Sequence, residues 1–231
     1  FVRDYFKFKN KPINRELFSE VDVRHIAAAN IMFGVCTYIN AYMTKHGLRD
    51  FADQLMDTIW LFENHKDKIP TYEYILVDEY QDVNSTQIKF LDILNAKNMF
   101  VVGDPRQSIF GWRGSDVSYI LGFEEKYPKC EIITLTKNYR SSEHIVKLIN
   151  EAIKKMQLPD LESANKGVSD LKLLNFNSEI DEFDYLINEI KTSKLPSNEI
   201  FILARTNRQL NNLSDLMKIK GVKHIRRSDE M

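Results

Sequence analysis

Apolar residues over the first seventy positions recur at helical spacing. One helix is predicted over 21–46, stopping at Gly47, a residue suited to the left-handed turn after a helix. A second is predicted over 49–64, because Phe51, Leu55, Ile59 and Phe62 recur every three or four residues and share one face. Trp60 also sits at helical spacing and is expected in the core. After Pro70 the rhythm changes. Tyr74-Ile75-Leu76-Val77, Met99-Phe100-Val101-Val102 and Glu131-Ile132-Ile133-Thr134-Leu135 are short apolar runs separated by helical stretches near 85–95 and 115–127. Continuous apolar strands alternating with helices predict an α/β fold, with a parallel sheet covered on both faces. The last third repeats the alternation. A helix is predicted over 142–155 after an N-cap at Ser141, a strand over 171–176 and a helix over 179–191. A strand over 199–204 and a helix over 207–220, stopped by Gly221, complete it, and the polar stretch 157–170 reads as a loop.

Composition narrows the class. Hydrophobic residues make up 43% and charged residues 28% of 231 residues, an ordinary globular balance that argues against disorder. The formal net charge is −1, from 32 basic and 33 acidic residues, so any nucleic-acid site must be local. Residues 26–44 form an uncharged run, but Asn30, Thr37, Tyr38, Asn40 and Tyr42 within it are costly in lipid. A buried helix of a soluble protein is therefore expected there, not a membrane span. Cys36 and Cys130 are far apart with no metal spacing, which points to a reduced, cytoplasmic protein. The chain begins at Phe1 without a signal-peptide pattern and is expected to be cut from something longer. The basic, aromatic start, with Arg3, Tyr5, Phe6, Lys7, Phe8, Lys9 and Lys11, reads as a solvated edge with its aromatics turned inward, or else as a phosphate contact.

In open α/β sheets, ligands bind beyond the carboxyl ends of the strands. Two such ends carry unusual groups: Val77-Asp78-Glu79-Tyr80-Gln81-Asp82, and the stretch from Val102-Gly103-Asp104 through Gln107 to Trp112-Arg113-Gly114. A strand that delivers two adjacent carboxylates suits metal–nucleotide chemistry. One acid can hold Mg²⁺, and the next can deprotonate an attacking water. The acidic pair taken by itself is equally a solvated turn.

The pair is not by itself. These two blocks resemble motifs II and III of the UvrD/Rep helicases of superfamily 1A, DExxQD and GDxxQSIYxxRG. Leu135-Thr136-Lys137-Asn138-Tyr139-Arg140-Ser141-Ser142 resembles the LxxNYRSS block of motif IV. Asp50-Phe51-Ala52-Asp53-Gln54-Leu55 is similar to the DFxDLL stretch, and Ala204-Arg205-Thr206-Asn207 to the RTN strand end of the second motor domain. The resemblance runs from about residue 50 onward; the first fifty residues resemble a helical 1B insertion only loosely. It implies RecA-like motor domains of the P-loop NTPase type, with ATP and Mg²⁺ as cofactors. It implies that Asp78 holds the metal, that Glu79 is the catalytic base, and that Asp104 lies on the metal side of the nucleotide. Gln81 and Asp82 would bond the backbone of motif III or IV, with plain turn capping as the other reading of Asp82. Gln107 would sense the γ-phosphate, Tyr139 would stack on adenine, and Arg140 would be the arginine finger. Trp112 would stack on a DNA base, and Arg113 would either bind the DNA backbone or link it to the nucleotide. Each has a plainer reading: a loop amide for Gln107, inward packing for Trp112 and Tyr139, an ion pair for Arg140.

The departures shape the rest. No Gly-x-x-x-x-Gly-Lys-Ser/Thr segment occurs, nor any Gly-Lys pair, so the phosphate cradle is missing. Motifs V and VI are absent as well. The expected organisation is two incomplete motor domains: 1–48 from the end of a helical insertion, 49–133 from the first motor domain, and 134–231 from the second. The expected activity is ATP-driven 3′-to-5′ movement on single-stranded DNA with unwinding at a duplex junction. It would need the rest of the polypeptide, which carries motifs I, V and VI, and the fragment alone would be inactive. The alternative is a non-catalytic nucleic-acid-binding or regulatory module that keeps the fold; a helicase–nuclease fusion is a third arrangement.

Overall fold

Four helices among the described residues begin at side-chain caps. Asp50 accepts from the backbone of Asp53 while the Asp53 side chain accepts from the backbone of Asp50, a reciprocal capping box that starts α3, Phe51–Asn64. Asn84 and Gln87 do the same for α4, Ser85–Leu94, and Thr206 and Gln209 for α9, Asn207–Ile219. Ser178 caps α8, Glu179–Thr192. At the other ends, Gly47 and Gly221 take positive φ as expected. Leu48 N bonds Met43 O and Gly47 N bonds Thr44 O after α2, Ile26–Lys45; Val222 N bonds Met217 O and Gly221 N bonds Lys218 O after α9. Both are Schellman closures, which satisfy the last helical carbonyls.

The computed structural model describes residues 2–11, 13–18, 22–167 and 169–226. The chain divides into two units, Phe1–Leu135 and Thr136–Met231. The expected helix start at residue 21 lies outside the described residues, as do 227–231 and the side chains of Arg3 and Tyr5.

The first unit contains α1 (Val2–Phe8), α2, α3, β1 (Tyr74–Val77), α4, β2 (Asn98–Val101), and the short helices α5 (Ser118–Leu121) and α6 (Phe123–Lys126). β1 and β2 pair in parallel, with Leu76 opposite Phe100 and Val77 opposite Val101, and α4 makes the crossover. Val77 and Val101 pack with Tyr80, Val83, Ile88, Leu91, Tyr119, Ile120 and Phe123. Leu76 and Phe100 point the other way and are exposed. The strands thus form as predicted, but only one sheet face is covered among the described residues.

Several local expectations change. Residues 115–127 are not one helix; Gly122 separates α5 from α6. Trp60 is 61% exposed, because Ala52, Ile59 and Phe62 define the buried face of α3 and Trp60 follows Ile59 by one step of about 100°. Phe51, at the first helical position, is exposed too. The uncharged α2 forms, but it is not buried. Only Ala29 and Cys36 are covered, and Ile31, Val35, Tyr38 and Tyr42 are exposed. By length and composition alone this helix is apolar enough to cross a membrane.

The second unit contains β3 (Lys137–Ser142), α7 (Glu143–Ala152), β4 (Glu162–Asn165), α8 and α9. β3 and β4 are parallel, so the stretch expected as pure loop supplies a strand. Ser142, not Ser141, is the N-cap of α7, and it makes no side-chain cap bond. Phe183 and Ile187 of α8 meet Leu213 and Met217 of α9 in a small core that also takes in Ile202 and Val222. The runs at 131–135, 171–176 and 199–204 have no ladder partner among the described residues and are not strands. Ile133, Leu135, Leu173, Phe201 and Leu203 are all exposed. A strand needs a neighbour as well as an apolar sequence.

Candidate functional site

β1 hands the chain to Asp78 and Glu79. Glu79 adopts the left-handed conformation, φ 51° and ψ 42°. A side chain there costs about 1 kcal/mol or more and persists only where the surroundings fix it. Here Tyr80 N donates to Val102 O at 2.9 Å, Glu79 N donates to Asp78 Oδ1 at 2.9 Å, and Gln81 Nε2 donates to Glu79 Oε2 at 2.7 Å.

Gln81 is 1% exposed and uses both ends of its carboxamide. While Nε2 holds Glu79, Oε1 accepts from Asp104 N at 3.0 Å, and the Gln81 carbonyl accepts from Ser108 Oγ at 3.1 Å. The acidic turn and the loop after β2 are therefore joined through one buried side chain. Gly103 makes the approach possible: a Cβ on it would lie 2.7 Å from Gln81 Oε1 and 2.8 Å from Ile120 Cδ1.

Within that loop, Asp104 Oδ1 accepts from Arg106 N at 3.0 Å and from the Arg106 guanidinium at 3.4 Å. Asp104 Oδ2 accepts from Gln107 Nε2 at 3.1 Å. Asp104 and Gln107 are thus bonded to each other, with the Gln107 side chain exposed.

Asp82 is the strained member of the acidic turn. Its Oδ1 is buried without a hydrogen-bond partner, and Oδ2 lies 3.5 Å from Gln81 Nε2. Burial pushes its carboxyl above the usual range; the charge of Glu79 adds to this, and the Gln81 hydrogen bond opposes it. Asp78, Glu79 and Asp82 line a depression with Val77, Val83, Phe90 and Leu91. Hard carboxylate oxygens suit Mg²⁺, which commonly keeps waters and phosphate oxygens among its ligands. No group of three or more His, Cys, Asp or Glu among the described residues is arranged to hold a metal ion.

Further along, a tight turn at Gly111–Arg113 presents Trp112, which is 49% exposed. The Arg113 guanidinium lies 4.7 Å from the Trp112 ring centroid and 5.6 Å from that of Phe110, a cation–π arrangement. In the second unit, Tyr139 and Arg140 are both exposed on β3, and Lys137 Nζ lies 5.5 Å from the Tyr139 ring centroid.

The N-terminal segment does not behave as a solvated edge at Lys7. This side chain is 12% exposed, bonds Asp50 Oδ2 at 3.0 Å and pairs with Asp53. Ser85 Oγ donates to Phe8 O at 2.9 Å and Thr86 Oγ1 donates to Lys7 O, which ties α1 to the start of α4.

The UvrD/REP helicase N-terminal domain profile matches residues 8–128, and the UvrD-like helicase C-terminal domain profile matches 133–230. The chain belongs to the UvrD/REP helicase family. It is 40% identical to the ATP-dependent DNA helicase PcrA of Staphylococcus epidermidis over 179 residues, covering 72% of this chain and 25% of that protein. Identity to PcrA of Staphylococcus aureus is 35% over 212 residues, 85% of this chain and 29% of that protein. The chain therefore spans less than a third of the length of these curated relatives. The UvrD/REP match begins at residue 8, so residues 8–49, only loosely similar by their residues, fall within the same family domain.

The motif blocks picked out Asp78, Glu79, Asp104, Gln107, Trp112 and Arg113 without their internal wiring. Gln81 bonds the backbone of the loop after β2, as expected; unforeseen were its second bond, to Glu79, the steric demand at Gly103 and the pairing of Lys7 with Asp50 and Asp53. A glycine at a strand end just before an acid was the one visible signal.

Proposed function

We propose that this chain is the part of an ATP-dependent DNA helicase that carries the hydrolytic acids, a single-strand contact and the arginine finger. The rest of the polypeptide would supply the phosphate cradle and motifs V and VI. Residues 1–48 would close a helical insertion, 49–133 belong to the first motor domain and 134–231 to the second. The observation that carries the reading is the turn after β1: Glu79 in a left-handed conformation beside Asp78, its carboxylate held by Gln81, which also bonds the loop bearing Gln107.

In this reading Glu79 accepts the proton of the attacking water, and Asp78 holds Mg²⁺. The ion supplies charge neutralisation at the phosphates. Asp104 orders the loop from which Gln107 turns toward the γ-phosphate, exchanging one hydrogen bond for another. Tyr139 stacks on adenine, and the planar, permanently charged fork of Arg140 stabilises the transferring phosphoryl group. Trp112 offers a ring to any base, a contact contributing roughly 1–3 kcal/mol without sequence preference, and Arg113 supports that ring or meets phosphate. Movement is 3′ to 5′ on single-stranded DNA, with unwinding of the duplex ahead.

The test is Glu79→Gln against Asp78→Asn in the full-length protein. Glutamine keeps size and an acceptor oxygen but takes no proton at neutral pH. Turnover is expected to fall by roughly 10²–10⁴ while Mg-ATP and DNA binding persist. Asp78→Asn is expected instead to raise the magnesium requirement. A magnesium titration of hydrolysis, with nucleotide binding alongside, separates them; a Glu79→Gln enzyme near full turnover, or one rescued by extra magnesium, overturns the roles.

A further inference from the structure

Tyr139 and Arg140 are adjacent on a strand, yet both side chains are exposed. In a regular strand, successive side chains point to opposite faces. The register explains the exception. Lys137 pairs with Glu162 and Asn138 with Ser163, but the next pairing is Ser142 with Asn165, so β3 advances four residues while β4 advances two. The surplus forms a bulge, a device that re-aims side chains and leaves amides without ladder partners.

One side chain collects those amides. Asn138 Oδ1 accepts from Arg140 N at 3.0 Å and from Ser141 N at 2.8 Å. The carbonyls are held from the neighbouring strand: Asn165 Nδ2 donates to Arg140 O at 3.2 Å and Ser163 Oγ donates to Ser141 O at 2.8 Å. Asparagine readily bonds its own backbone two or three residues on, which offers the chain an alternative to the ladder. Without that oxygen, two amides would be free to seek water and the bulge would have no fixed shape.

We infer that Asn138 is a positioning residue for phosphoryl transfer: its carboxamide oxygen fixes the bulge that aims Arg140. This rests on the arginine-finger reading of Arg140. A finger acts on charge in the transition state, so one that is present but misaimed loses much of its effect: a displacement of about 1 Å can cost about 10²-fold in rate.

The experiment is a double-mutant cycle in the full-length protein, reading DNA-stimulated ATP turnover and nucleotide affinity. Asn138→Ala is expected to lower kcat by about 10²-fold, with a smaller change in ATP affinity. Asn138→Asp keeps the acceptor oxygen and is expected to recover most of the loss. The combined Asn138→Ala and Arg140→Ala enzyme is expected to match Arg140→Ala, because with the finger removed there is nothing left to aim. If Arg140→Ala is slow but Asn138→Ala is not, or if the two losses multiply, the positioning role is overturned and the finger stands. If Arg140→Ala turns over normally, the finger falls and Asn138 has nothing to aim.

Discussion

Asp82 shows how the site is held under tension by single residues. It sits between two demands: Gln81 bonds it weakly at 3.5 Å, while its other oxygen is buried without a partner beside Glu79. Its carboxyl is raised, first by burial and then by the Glu79 charge. For an acid, a folded-state pKa above the unfolded value means that ionisation penalises the folded state. The penalty is absent below the unfolded value, grows as pH rises from the unfolded value to the folded one, and is full above it. Asp82→Asn keeps the oxygen that Gln81 meets and removes the charge. Its thermal midpoint is expected to exceed that of the parent at pH 7, with the difference shrinking as pH falls to the ordinary carboxylate range. Equal midpoints at both pH values would show that Asp82 carries no such strain.

Among the elements, α3 depends on one residue twice over, because Asp50 serves as its cap and as a partner of Lys7. Asp50→Ala is expected to cost about 1–2 kcal/mol in urea unfolding, and Asp50→Asn, which keeps the acceptor for Asp53 N, distinctly less. Equal costs would assign the whole effect to the ion pair. The same element shows what the sequence reveals. The face of Ile59 and Phe62 was legible from spacing, and so were the ends at Gly47 and Gly221, because caps and periodicity are local. Trp60 was not, since one residue's step around a helix moves a side chain from core to solvent. The runs at 131–135, 171–176 and 199–204 read as strands because apolarity is local, whereas the neighbour a parallel strand needs is distant in sequence. At the site, residue types and order were readable in Asp78, Glu79 and Arg140. The bond of Gln81 to the backbone of the loop after β2, 23 positions away, was expected from the motif resemblance; its hold on Glu79 and the β3 bulge were not, because the bulge is defined by a slip against another strand.

At the scale of the whole molecule, two units each carry residues to which the proposed function gives a role in hydrolysis, and neither contains a Gly-x-x-x-x-Gly-Lys-Ser/Thr segment. Purified as these 231 residues, the chain is expected to release no phosphate from ATP above buffer, with or without single-stranded DNA. Turnover that survives repurification would show that the missing cradle is dispensable. The pairing of Lys7 with Asp50 and Asp53 bears on where such a protein can be cut. The recognisable blocks begin at Asp50, which makes residue 49 an inviting boundary. A truncation there would strip the cation from two neighbouring carboxylates and remove the carbonyls that receive the hydroxyls of Ser85 and Thr86. Tolerance to trimming follows such bonds more closely than it follows motif edges. The first ten residues, which carry no catalytic signature, are therefore the ones to keep when choosing an expression boundary.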